Sequence, residues 1–69
     1  MQIVKNPRDI GETVRRTRRS QGLTQVELAG ASGTGVRFIM ELEKGKESCQ
    51  MGKVLRVLRM LGLELSVSS

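Results

Sequence analysis

The groups in this chain that can do chemistry are almost all cations. Twelve Lys and Arg stand against seven Asp and Glu, a formal charge of +5 over 69 residues, and there is no histidine. The single cysteine, Cys49, has no second thiol to resolve an oxidised form and reads as an inert small side chain. A structural zinc needs about four ligands, which one thiol and no imidazole cannot supply. Glu41 and Glu43 are two apart on helical spacing, so they point in different directions and make a poor acid/base pair. No catalytic residue, metal or cofactor is therefore expected. What remains is charge neutralisation. A small, strongly basic domain leans first to nucleic acid and second to an acidic membrane surface. The only aromatic residue is Phe38. That argues against single-strand readers, which stack bases on aromatic platforms.

Four further features have a plain reading beside a functional one. The run Gly30-Ala-Ser-Gly-Thr-Gly35 suggests a phosphate loop, but it lacks both the dinucleotide order and a following Lys-Ser/Thr, so it reads as a turn. The arginines at 15, 16, 18 and 19 read first as a solvated helix face. Met40, Met51 and Met60 read as gap fillers. Gln25 is different: a polar residue directly after a capping threonine has little packing value, which favours a functional role.

These side chains must be positioned by helices. A chain this short buries only about 60% of the surface that its unfolded form exposes. With no disulfide or metal available, it needs good helix packing or a partner chain. Asn6-Pro7 starts a first helix that ends at Gln21-Gly22, with Ile10, Val14 and Thr17 facing inward. Thr24-Gln25-Val26-Glu27 is a capping box opening a second helix of about seven residues, with Leu28 and Ala29 inside. A third helix runs from Gly35 or Val36 to Lys44 with Ile39 and Leu42 inside, and Gly45 stops it. Ser48 is expected to cap a fourth helix over Gln50–Leu61. There Val54, Leu55, Leu58 and Leu61 form the apolar stripe, while Lys53, Arg56 and Arg59 form the wet side. That basic, amphipathic helix can also lie on a membrane. A core and dimer role is preferred, because the other helices hold too few apolar residues without it. The tail Leu63–Ser69 alternates, with Leu63, Leu65 and Val67 on one face, as a strand does. Such a strand must pair with Ile3-Val4 or with the tail of a second chain. The expected domain is 1–69, a bundle over 8–62 and a dimerisation tail over 63–69.

Short helix, glycine-containing turn, short helix is helix-turn-helix geometry. The positions Leu23-Thr24-Gln25, Leu28-Ala29, Gly33, Ile39, Leu42-Glu43 and Gly45-Lys46 resemble the XRE/Cro/C1 helix-turn-helix family over about four-fifths of the chain. The stretches Phe38–Lys46 and Val54–Leu63 resemble, more narrowly, HipB-type antitoxins, small repressors encoded beside a HipA-like kinase toxin. The resemblance implies an all-α, lambda-repressor-like bundle of four to five helices. It also implies a homodimer with carboxy-terminal strands paired between chains.

A recognition helix presents its first turns to base edges in the major groove. The family's readout positions fall on Gly35, Val36, Arg37 and Glu41, with Met40 nearby. Arg37 is suited to guanine O6 and N7, Val36 to a thymine methyl, and Glu41 to cytosine N4 or to orienting Arg37. Phosphate contacts are expected from Thr24, Gln25, Gly35, Lys44, Lys46 and Arg16, with Arg8, Arg15 and Arg19 as further candidates. Gly35 and Val36 stand where the family often has a capping Ser or Thr and a polar reader. Fewer direct base bonds and more shape and phosphate readout are expected in consequence. Arg18 and Glu43 match a family pair that joins the first and third helices, a structural role.

The expected function is a sequence-specific repressor of double-stranded DNA, bound to an inverted-repeat operator as a dimer. It would serve as antitoxin to a HipA-like kinase. A module that binds the kinase without reading DNA, and a stand-alone phage-type repressor, are the alternatives. The opening Met1–Asp9 has no secretory apolar region, and no apolar run reaches membrane-spanning length. A cytoplasmic place on the bacterial nucleoid is expected, with no membrane partner.

Overall fold

In the computed structural model, which describes residues 6–65, the chain forms four helices: α1 (Pro7–Ser20), α2 (Gln25–Ser32), α3 (Val36–Glu43) and α4 (Met51–Met60). No strand occurs among the described residues. Leu63 and Leu65 are half-buried but not in a strand, and Val67, like Ile3-Val4, lies outside the described residues.

The helix starts are written in side-chain chemistry. The Asn6 carbonyl Oδ1 accepts from the Asp9 amide at 3.0 Å, with Pro7 in the first turn. Thr24 Oγ1 accepts from the Glu27 amide at 3.0 Å, and the Thr24 amide donates to Glu27 Oε1 at 2.9 Å, a complete capping box. Gly35 stands at the start of α3 with no side chain to cap it. The expected cap of α4 is corrected. Gln50, not Ser48, is the cap residue, and it makes no side-chain bond; Ser48 lies two positions too early to reach the first-turn amides.

Val14, Leu28, Ala29, Ile39, Leu42, Val54, Val57, Leu58 and Leu61 make the core. The packed helix pairs are α2 on α3, α1 on α3 and α2 on α4. Two features of the expected apolar faces change. The buried set of α4 and its C-cap Leu61 is 54, 57, 58 and 61, at i, i+3, i+4 and i+7; Leu55 sits about 100° round from Val54 and ends on the rim, exposed. Met40, Met51 and Met60 fill no gap, because each stands well exposed. Gly11, which carries no apolar signal, is buried in α1. A Cβ there would overlap the backbone carbonyls of Leu42 and Glu43, so its absence lets α1 lie against the end of α3. At the far end of the bundle Gln21 Nε2 donates to the Leu61 carbonyl at 2.9 Å, linking the ends of α1 and α4.

Candidate nucleic-acid interface

The pair α2–α3 is joined by a three-residue turn whose Gly33 takes the left-handed conformation, φ 69°. Behind this pair lies a polar clamp. Arg18 of α1 is 8% exposed. Its Nε donates to Glu43 Oε2 at 2.7 Å and its Nη2 to Glu43 Oε1 at 3.1 Å. Its Nη1 donates to the Leu23 carbonyl at 2.8 Å, just before α2. One guanidinium thus holds α1, the entry to α2 and the end of α3 in a single geometry. The hydrogen bonds that Arg18 donates to Glu43 outweigh burial and raise the Arg18 pKa, so the group stays charged. Gln25 belongs to the same cluster, because its Nε2 donates to Glu43 Oε1 at 3.2 Å. One amide hydrogen of Gln25 is spent inward, and the other remains for a ligand.

On the outer face of α3, Val36, Arg37 and Met40 stand exposed while Ile39 and Leu42 bury the inner face. The Arg37 side chain is 91% exposed. Glu41 lies one turn on, with Oε1 4.0 Å from Arg37 Nε and Oε2 2.6 Å from Lys46 Nζ. The hydrogen bond from Lys46 lowers the Glu41 pKa, with smaller help from Arg37 and Lys44. Arg37, Met40, Glu41, Lys44 and Lys46 line one shallow groove. Three of those five residues are cations.

A second groove opens beside it, lined by Arg15, Arg19, Gln25, Met40 and Lys44 over the buried Arg18–Glu43 pair. Arg15 and Arg19 were the weaker candidates by sequence, yet the fold brings them to Gln25 and Lys44. Arg16 is exposed, but about 160° round α1 from the inward Arg18, and it lines neither groove. The signal that separates these arginines is the burial of Arg18, which sets the rotation of α1. Thr24 and Gly35 are placed at the exposed starts of α2 and α3. Arg8 lies near Lys44 and Gly45 in a separate groove. Among the described residues no group of three or more His, Cys, Asp or Glu is placed to hold a metal ion. No helix there is long and apolar enough to cross a membrane.

A capped helix, a glycine turn and a second short helix with a charged outer face, locked from behind by one ion pair, define a helix-turn-helix unit. The chain belongs to the helix-turn-helix domain family, whose model matches residues 9–67. It is 52% identical over 64 residues to the uncharacterized HTH-type transcriptional regulator y4mF of Sinorhizobium fredii, covering 93% of this chain and 84% of that one. Its fold matches a chain of the solved HipA-HipB-O2-O3 complex with a TM-score of 0.89, at 22% identity, over 100% of this chain and 97% of that one. It matches the restriction-modification controller protein C.AhdI from Aeromonas hydrophila with a TM-score of 0.74, at 26% identity, over 84% of each chain. The helical fold expected from the sequence resemblance is therefore met in three dimensions.

Proposed function

We propose that this chain is a sequence-specific regulator that binds double-stranded DNA through α3, as a homodimer on an inverted-repeat operator. The observation that carries this reading is Arg37. It stands almost fully in solvent near the start of a helix whose other face is buried in the core. Such a guanidinium is free to bond guanine O6 and N7 together, while Lys44, Arg15, Arg19 and the remaining amide hydrogen of Gln25 face the flanking phosphates. Thr24, Gly35, Lys46 and Arg16 are the other proposed phosphate contacts, and Val36, Met40 and Glu41 the other base-facing groups.

The likeness to y4mF, named a transcriptional regulator, and to the fold of a chain in a HipA–HipB complex supports a finer reading. In it the chain is the antitoxin of a HipA/HipB-type pair, represses its own operon and helps restrain a HipA-like kinase in the cytoplasm. Leu63, Leu65 and Val67 supply the strand that pairs the two copies. Nuclease footprinting on the region upstream of its own gene tests the DNA half of this proposal. Two protected half-sites, centred about 34 Å apart on one face of the duplex, are expected. Uniform protection that persists when the repeat is scrambled would contradict it. Co-purification with the product of the adjacent reading frame tests the partner half. An Arg37→Ala chain should still bind that product while its operator footprint weakens, and loss of partner binding alone would favour a pure interaction module.

A further inference from the structure

Among the cations that line the groove on α3, Lys46 is the most tightly engaged. Its Nζ lies 2.6 Å from Glu41 Oε2. The backbone builds this proximity in. Gly45 ends α3 with φ 84°, its amide donates to the Leu42 carbonyl at 3.0 Å, and the Lys46 amide donates to the Glu41 carbonyl at 3.1 Å. These two bonds are the paired closure of a left-handed helix end, and they set residue 46 directly over residue 41. Glu41 also lies one turn after Arg37, with 4.0 Å between Oε1 and Nε. A carboxylate on this face therefore stands between two cations, and the nearer one holds it.

We infer that Lys46 is a specificity-determining positioning residue: by occupying Glu41 it keeps that carboxylate off Arg37 and leaves the Arg37 guanidinium free to read a base. This rests on the DNA-binding function proposed above. It assigns Lys46 a role in addition to the phosphate contact proposed above. Without Lys46, the Glu41 carboxylate closes on Arg37 as an i, i+4 pair and competes with the guanine edge for the same donors. The geometry of α3 needs no change for this, because all three side chains are at least partly exposed.

The test uses the full chain and a duplex that the wild-type chain selects from a random-sequence pool, with a scrambled duplex of the same composition as control. Fluorescence anisotropy titrations give the ratio of the two affinities and its dependence on salt. Lys46→Met should lower the selected-to-scrambled ratio about tenfold, within the range that loss of one bidentate base contact gives. Lys46→Arg, which keeps a cation over Glu41, should retain it. In a Glu41→Gln background, Lys46→Met should leave the ratio unchanged, because no carboxylate is left to restrain. If Lys46→Met weakens both duplexes equally, and flattens the log–log salt slope by about 0.9 per protomer with or without Glu41, Lys46 is a phosphate clamp only and the inference is wrong. Failure of the wild-type chain to select any duplex would overturn the DNA-binding proposal itself, an outcome separate from the variants' behaviour.

Discussion

Arg37 and Arg18 show how two identical side chains, nineteen positions apart in the sequence, are set to opposite tasks by their surroundings. Arg37 is surrounded by water, so removing it should leave folding intact and remove information. Arg37→Ala should cost about 1–3 kcal/mol on the selected duplex and little on a scrambled one, read by paired titrations. Arg18 is enclosed with Glu43, whose side chain is 4% exposed. Glu43→Ala strands a buried cation that burial alone disfavours, and should cost roughly 3–5 kcal/mol of stability in urea unfolding. A residue-scale pH effect follows at the capping box. The Thr24 amide and hydroxyl lower the Glu27 pKa below its unfolded value. Its contribution is therefore present above the ordinary carboxylate range and lost as pH falls through the depressed folded value. The stability gap between wild type and Glu27→Gln should be seen near neutrality and should close in acid, followed by denaturant titrations across pH. The Arg18–Glu43 pair was legible through family resemblance. The grip of Glu43 on Gln25 was not, since it depends on α2 and α3 meeting, which spacing along the chain does not encode.

At the scale of elements, the start of α1, the α2 capping box and the glycine stop of α3 were readable because each is a local event. A cap, a fixed proline φ or a left-handed glycine needs only a few neighbouring residues. The rotation of each helix about its own axis was less readable. Leu55 and Val57 are both apolar, and only the packing of α4 against α2 decides which of them is buried. On α1 the buried face includes Gly11 and Arg18, neither of them apolar, so a hydrophobic count misplaces it. The consequence is testable at Gly11. Alanine is the better helix former by about 1 kcal/mol, yet its methyl would meet the backbone of Leu42 and Glu43. Gly11→Ala should therefore destabilise by about 1–3 kcal/mol instead of stabilising, and it should loosen α3, the element that carries Arg37. Thermal unfolding gives the sign directly.

For the molecule as a whole, the described residues supply one α3 and one charged outer face per chain, which is half of what an inverted repeat requires. The proposed pairing of tails through Leu63, Leu65 and Val67 supplies the other half. Deleting the last seven residues should leave the four helices folded, shift the chain to monomer in light scattering, and weaken binding to the full repeat far more than to a single half-site. The strand reading rests on alternation and on the family resemblance, and a strand exists only with a partner, so its test lies in the assembly. The account stands most directly on discrimination between sequences. Titrating the wild-type chain at fixed salt against its selected inverted-repeat duplex and against a scrambled duplex should show a preference of about a thousandfold or more. Equal affinity for the two, with an equal salt slope, would mean that the basic face of this fold holds DNA without reading it.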